Sequence, residues 1–194
     1  MKKILTSVFA IAMVAAIAGI GSWAYFSDTE MSTGNTVTAG TLDLKVDGQD
    51  VVSQKFTVEN VYPGYSNSST IAVKNDGTID GQHLKLAFRN MIDYENGCNT
   101  PEARVDDSCD NPGAGQGDLS GNINIKITDE DGNVLANNKL RNLEYSTRGY
   151  IQLGSLNAGE TKNLTITATV PTTVGNIIQS DSILTDIELT LTQN

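Results

Sequence analysis

The chain has 194 residues, with 23 Asp and Glu against 13 Lys and Arg and a formal charge of −10. A balance this acidic repels phosphate backbones and anionic headgroups, so nucleic acid is excluded as a partner. The length suits one exported domain behind a short leader.

At the N-terminus, Lys2 and Lys3 precede Val8–Ile20, a run made only of Ala, Val, Ile, Phe, Met and Gly. Ser22-Trp23-Ala24 then places small residues at −3 and −1. This is the three-part order of an export signal, with cleavage between Ala24 and Tyr25. The rival is an uncleaved anchor, but Ile4–Ile20 gives 17 residues with Thr6 and Ser7 among them, short of the ~20 a spanning helix needs. A pilin-type leader needs a Gly or Ala before the apolar run, and only Met1-Lys2-Lys3 stands there. Removal of residues 1–24 takes two lysines with it, leaving 11 basic against 23 acidic residues, or −12.

Period-2 alternation governs the chain beyond the junction. Leu42, Leu44 and Val46 alternate with Asp43 and Lys45 up to Asp47-Gly48. Val52, Phe56 and Val58 predict a strand ending at the Tyr62-Pro63-Gly64 turn. Ile71 and Val73 predict another, stopped by Asn75-Asp76-Gly77. Leu84, Leu86 and Phe88 predict a fourth, with His83 on its solvent face.

Residues 93–120 break the pattern, being rich in Gly, Asn and Asp. A loop of this length inside a compact domain is pinned or functional. It carries Cys98 and Cys109, the only cysteines, and in an exported protein these favour a disulfide over a metal pair that lacks further Cys or His ligands. The bridge would contribute about 3 kcal/mol by loop entropy. Glu102, Asp106, Asp107, Asp110 and Asp118 offer oxygen ligands for calcium; Asp106, Asp107 and Asp110 are the candidates, against the plainer reading of a solvated acidic loop with no cofactor.

Alternation resumes at Ile123, Ile125 and Ile127, and Asp129–Asn133 predicts a hairpin turn. Lys139–Tyr145 predicts one helical turn. Tyr150, Gln152 and Gly154 lead to a turn at Leu156–Glu160. Leu164, Ile166, Ala168 and Val170 face inward against Thr165, Thr167 and Thr169, and Pro171 ends that strand. In the last strand Ile183, Thr185, Ile187, Leu189 and Leu191 face inward, with Asp186, Glu188 and Thr190 outward. Single-face alternation predicts an all-β antiparallel sandwich of the jelly-roll kind.

No catalytic constellation stands out. His83 is the single imidazole, with no Gly-x-Ser-x-Gly elbow and no His-Glu-x-x-His, so the chain is not expected to be an enzyme. Asn67-Ser68-Ser69 and Asn163-Leu164-Thr165 are glycosylation sequons, with Asn67 the better placed.

The junction Gly21-Ser22-Trp23-Ala24-Tyr25-Phe26-Ser27-Asp28 and the segment Thr38-Ala39-Gly40-Thr41-Leu42-Asp43-Leu44 resemble the TasA/camelysin family of exported, fibre-forming biofilm-matrix proteins, together with archaeal bundling pilins. Tyr62-Pro63-Gly64, Asn75-Asp76-Gly77 and Ile187–Leu191 agree more weakly. The resemblance covers residues 15–80 and 155–192 and leaves the cysteine loop out. It implies a jelly-roll subunit, processing by a signal peptidase, and polymerisation by donor-strand complementation. Some members carry a metalloprotease label, which the absent His-Glu-x-x-His puts in doubt here.

Residues 25–36 are then the N-terminal donor strand and 37–194 the domain that receives it. Tyr25, Ser27, Thr29, Met31 and Thr33 share one face, with Phe26 on the other. Tyr25 and Met31 are the expected groove anchors, each stabilising by about 1.5–3 kcal/mol. Phe26 is the alternative anchor, at the groove mouth. The partners expected are other copies of the chain, the signal peptidase, and neighbouring filaments or cell surfaces. The product would be a secreted homopolymer at the cell surface. The alternatives are a monomeric adhesin or binding module using the 93–120 loop, and a secreted hydrolase.

Overall fold

The computed structural model describes residues 27–28, 40–50, 53–107 and 109–193. Two antiparallel sheets make up the fold. One holds β1 (Ser27–Asp28), β3 (Ser53–Val58), β5 (Gly81–Glu95), β6 (Gly113–Ala114), β9 (Ile151–Leu156) and β11 (Ser182–Thr192). The other runs β2 (Leu44–Val46), β4 (Ser66–Asn75), β10 (Thr161–Thr169), β7 (Asn124–Thr128) and β8 (Val134–Lys139). The export signal 1–24, the Ala24–Tyr25 junction, Phe26, Thr29, Met31, Thr33 and Val52 lie outside the described residues.

The all-β sandwich expected from alternation is what forms. Leu164, Ile166 and Ala168 of β10 are buried beside Ile125 and Ile127 of β7 and Val73 of β4. Facing them across one continuous core are Leu84, Leu86 and Phe88 of β5, Ile151 and Leu153 of β9, and Ile183, Leu189 and Leu191 of β11. On the outer face of the second sheet, Ser68 pairs with Thr167 at 2.8 Å and Thr70 with Thr165 at 3.0 Å, the side-by-side hydroxyl contacts that favour Thr-rich strands.

Turns fall where the sequence marks them. Asp129 Oδ1 accepts from the amides of Asp131 (3.1 Å) and Asn133 (2.8 Å), and Gly132 takes φ 82°. β8 then runs into two single helical turns, α1 (Leu140–Leu143) and α2 (Tyr145–Arg148), with Leu140 and Leu143 buried. At the edge of the core, Arg89 of β5 pairs with Glu188 of β11. Its guanidinium carbon lies 3.7 Å from the Tyr145 ring centroid, a cation–π contact between α2 and the sheet.

The segment 93–120 is more ordered at its ends than its composition suggests. Asp93, Tyr94 and Glu95 continue β5, and β6 pairs back on Tyr94 and Glu95. Cys98 and Cys109 are joined as a disulfide, with Cα atoms 4.9 Å apart.

Asn75 ties the two motifs at the start of the domain. It is fully buried, and its Nδ2 donates to the carbonyls of Ile79 (2.8 Å) and Leu156 (3.1 Å) while its Oδ1 accepts from Gly77 N (3.1 Å). The turn so held receives the 41–43 backbone: Thr78 N donates to Thr41 O at 2.8 Å and Asp76 N to Asp43 O at 2.6 Å. Gly77 is required there because any Cβ would run into the Thr41–Asp43 backbone. Replacing Asn75 by Ala orphans three backbone partners, the Leu156 carbonyl fully buried and the other two partly so, and is expected to lower the unfolding free energy by about 2–4 kcal/mol in urea titrations. A loss below about 0.5 kcal/mol would remove Asn75 from this role.

Candidate functional site

Two features stand out, at opposite ends of β11. At its C-terminal end lies the N-terminal segment of the chain. Ser27 pairs with Thr192 and Asp28 with Leu191, antiparallel. Among the described residues, β3 pairs with Ile183–Glu188 on that edge, and β1 pairs with Leu191–Thr192 beyond it. On the other edge β5 runs alongside from His83 to Tyr94.

The side chains there are enclosed on both faces. Leu189 and Leu191 enter the core as alternation requires, and Gly81 beneath Leu191 leaves the room its side chain needs. Alternation puts Thr190 on the solvent face, yet Thr190 and Thr192 are also buried, with hydroxyl oxygens that have no hydrogen-bond partner. Alternation assigns a face correctly but is blind to what lies over it. Of the expected donor-strand residues, only Ser27 falls within the described positions.

At the N-terminal end of β11, acidic side chains converge. Glu95 from the end of β5, Glu102 from a 3-10 turn and Asp106 just beyond it are all buried, with one oxygen from each lying within 4.8 Å of the others. Asp181, immediately before β11, is 2% exposed and accepts from Asp118 N at 2.7 Å. Ser180, held at φ 69°, turns its hydroxyl toward Glu102 Oε2 (3.1 Å) and Glu95 Oε1 (3.5 Å). Asp93 stands behind, accepting from Ser120 N at 2.8 Å. Arg141 of α1 is the cation that faces this group, 4.0 Å from Asp93 Oδ2.

So many carboxylates with so little positive charge are held away from ionisation. Burial, reinforced by Glu95 and Asp93 and opposed by the Asp118 amide, pushes Asp181 up to about 8. Burial also raises Asp93, Glu102 and Asp118.

The sequence singles out Glu102, Asp106 and Asp118 in this region, and the fold brings them together. Asp107 and Asp110 are exposed instead. Glu95 and Asp181 escape a reading of the sequence; the available signal is that Asp93 and Glu95 repeat with the period of a strand, which marks charged side chains on one face. Asn67 and Asn163 are both exposed, and so is His83.

A family model described as camelysin metallo-endopeptidase matches residues 1–193. The chain belongs to this family. A comparison with curated proteins finds no match. The camelysin name carries both a metal and a proteolytic activity, and the residues present can be tested against a catalytic zinc. Such sites rest on His, Cys and carboxylate ligands around one open position, and most take at least one imidazole. His83 is the only histidine and projects from the exposed side of β5, while the two cysteine sulfurs are bound to each other. The buried cluster of this camelysin relative supplies carboxylates alone, so its donor set does not fit a catalytic zinc. Among the described residues no helix is long and apolar enough to cross a membrane.

The acidic cluster makes a pH prediction. The folded-state value of Asp181 lies above the unfolded one, so the folded protein binds the extra proton. Its contribution to stability is complete below about pH 4 and declines as pH rises to about 8. In EDTA, Asp181→Asn should flatten the fall in melting temperature across that window; an unchanged slope would show that Asp181 does not titrate there.

Proposed function

We propose that this chain is the structural subunit of an extracellular fibre, assembled by donor-strand complementation once its export signal is removed. The observation that carries this reading is the register of Ser27–Asp28 on Leu191–Thr192. Residues just downstream of the expected cleavage site lie along the end of the β11 edge, beyond the Ile183–Glu188 stretch that the described residues of β3 pair with. Family membership supports the same reading, since it agrees with the resemblance to exported matrix proteins.

The same contacts permit exchange. A strand held on an edge by main-chain hydrogen bonds can be replaced by the same strand from another copy, with the same bonds and the same side-chain pockets. Within one chain the segment caps its own edge. Between chains it caps a neighbour's, leaves its own edge for the next copy, and builds a head-to-tail filament that does not close. Cleavage at Ala24–Tyr25 is the switch, because only a free N-terminus can be threaded along another subunit. The acidic charge left after processing keeps free subunits apart and soluble.

In this reading the chain is not an enzyme. Its partners are further copies of itself, the peptidase that frees it, and adjoining filaments or cell surfaces. The self-capped state is also what a monomeric adhesin would have, so size is the discriminating observable.

Two measurements test it. Deleting residues 25–34 should abolish fibres seen by electron microscopy while leaving a folded monomer; fibres at normal yield would sink the reading. Introducing Ser27→Cys with Thr192→Cys should trap the pairing as a disulfide. Oxidised as monomers, the variant should be locked out of assembly. Oxidised after assembly, it should give covalent ladders on non-reducing gels, and monomer bands alone would count against strand exchange.

A further inference from the structure

We propose that Glu95, Glu102, Asp106 and Asp181 form a calcium-binding site that clamps the cysteine loop to the start of β11. Three of these side chains have an oxygen with no hydrogen-bond partner although the residues are 98% or more buried: Glu95 Oε2, Glu102 Oε1 and Asp181 Oδ1. Their other oxygens are in use. Glu95 Oε1 accepts from Gly97 N at 3.0 Å, Glu102 Oε2 accepts from Asn99 N at 3.4 Å and Ser180 Oγ at 3.1 Å, and Asp181 Oδ2 accepts from Asp118 N. Each carboxylate is therefore fixed by its surroundings with its spare oxygen left over. Buried carboxylates persist only when paired, protonated or bound to a metal.

The chemistry of the donor set selects the ion. All ligands are hard oxygens, which suit calcium or magnesium rather than zinc or copper. Oxygens on Glu95, Glu102 and Asp106 lie within 4.8 Å of one another. Several protein carboxylates at one point suit calcium, which takes six to eight oxygen ligands in flexible geometry, better than magnesium, which keeps most of its water and binds through one or two carboxylates. The coordination positions that the carboxylates do not fill would be taken by water. Arg141, the nearby cation, reaches Asp93 rather than these four groups.

The site gathers parts of the chain that nothing else joins so closely. Glu95 ends β5, Glu102 and Asp106 lie inside the loop closed by Cys98–Cys109, and Asp181 leads into β11. Ser180, at a strained φ of 69°, sets its hydroxyl among Gly97 O (2.7 Å), Glu102 Oε2 (3.1 Å) and Glu95 Oε1 (3.5 Å). None of this rests on fibre formation, and a monomer that binds calcium would sustain the site while leaving the assembly reading to its own tests.

The experiment uses the purified protein stripped with EDTA, then titrated with CaCl2 or MgCl2 by calorimetry and thermal melting. One calcium per chain should bind with a sub-millimolar Kd, as extracellular calcium modules do, and should raise the melting temperature. Magnesium should bind at least tenfold more weakly. Glu102→Gln and Asp181→Asn should each weaken calcium binding at least tenfold. A crossover in stability separates a metal site from a merely structural cluster. In EDTA both variants should melt at or above the unaltered protein, because the cost of burying and neutralising that carboxylate is gone; in calcium they should melt below it. Absence of saturable calcium binding, an equal response to magnesium, calcium binding unchanged in both variants, or variants already less stable in EDTA would each overturn the assignment.

Discussion

Asn75 is a buried amide that satisfies carbonyls from two separate loops and an amide of its own turn. Its backbone is held in turn, at 3.0 Å by Glu160 O and at 2.8 Å by Gly159 N. An Asp or a Leu of similar size at this point would leave buried carbonyls without a donor, a cost of the order of 1–3 kcal/mol each. The turn it shapes is the platform on which residues 41–43 lie, and those residues carry the chain from the N-terminal segment into β2. Whatever the N-terminal segment does beyond Gly40, it does from this fixed base.

β11 connects the two regions of functional interest. Its first residue follows Asp181 in the acidic cluster, and its last two pair with Ser27–Asp28. Between them the register with β5 shifts by one residue: the extra residue lies in β5 between Arg89 and Ile92, where Asn90 takes φ 51°, and Thr185 Oγ1 of β11 donates to Arg89 O at 2.8 Å. The bulge re-phases β5, so that Leu84, Leu86 and Phe88 before it and Asp93 and Glu95 after it are all buried, while β11 keeps one alternation from Ile183 to Leu191. The Arg89–Glu188 pair and the Tyr145 ring brace the middle of the strand between them.

Much of the architecture was legible because a sheet with one wet face writes itself as alternation. The threonines of β10 and the isoleucines of β7 declared their sides, and Asp129–Asn133 declared its hairpin. The cluster was legible only in part. Glu102, Asp106 and Asp118 drew attention as acidic residues in one stretch, whereas Asp181 lies far along the chain and joins them only through the packing of β11 against β5. Asp93 and Glu95 read as the start of a polar loop because hydropathy alone cannot distinguish a buried carboxylate from a solvated one. In the same way, Gly40–Leu44 and Asn75–Gly77 stand out as separate motifs in the sequence, and only the fold shows that each exists to receive the other.

The position of β11 also sets the order of events during folding. It is the last strand of the described residues, yet β1, β3 and β5 all pair directly with it. A nascent or translocating chain that still lacks these eleven residues has no central strand for the first sheet and no partner for its N-terminal segment. Long-range pairing of this kind forms late and slowly. Synthesis of β11 thus acts as a timer: the edge on which Ser27–Asp28 lie does not exist until these residues have been made.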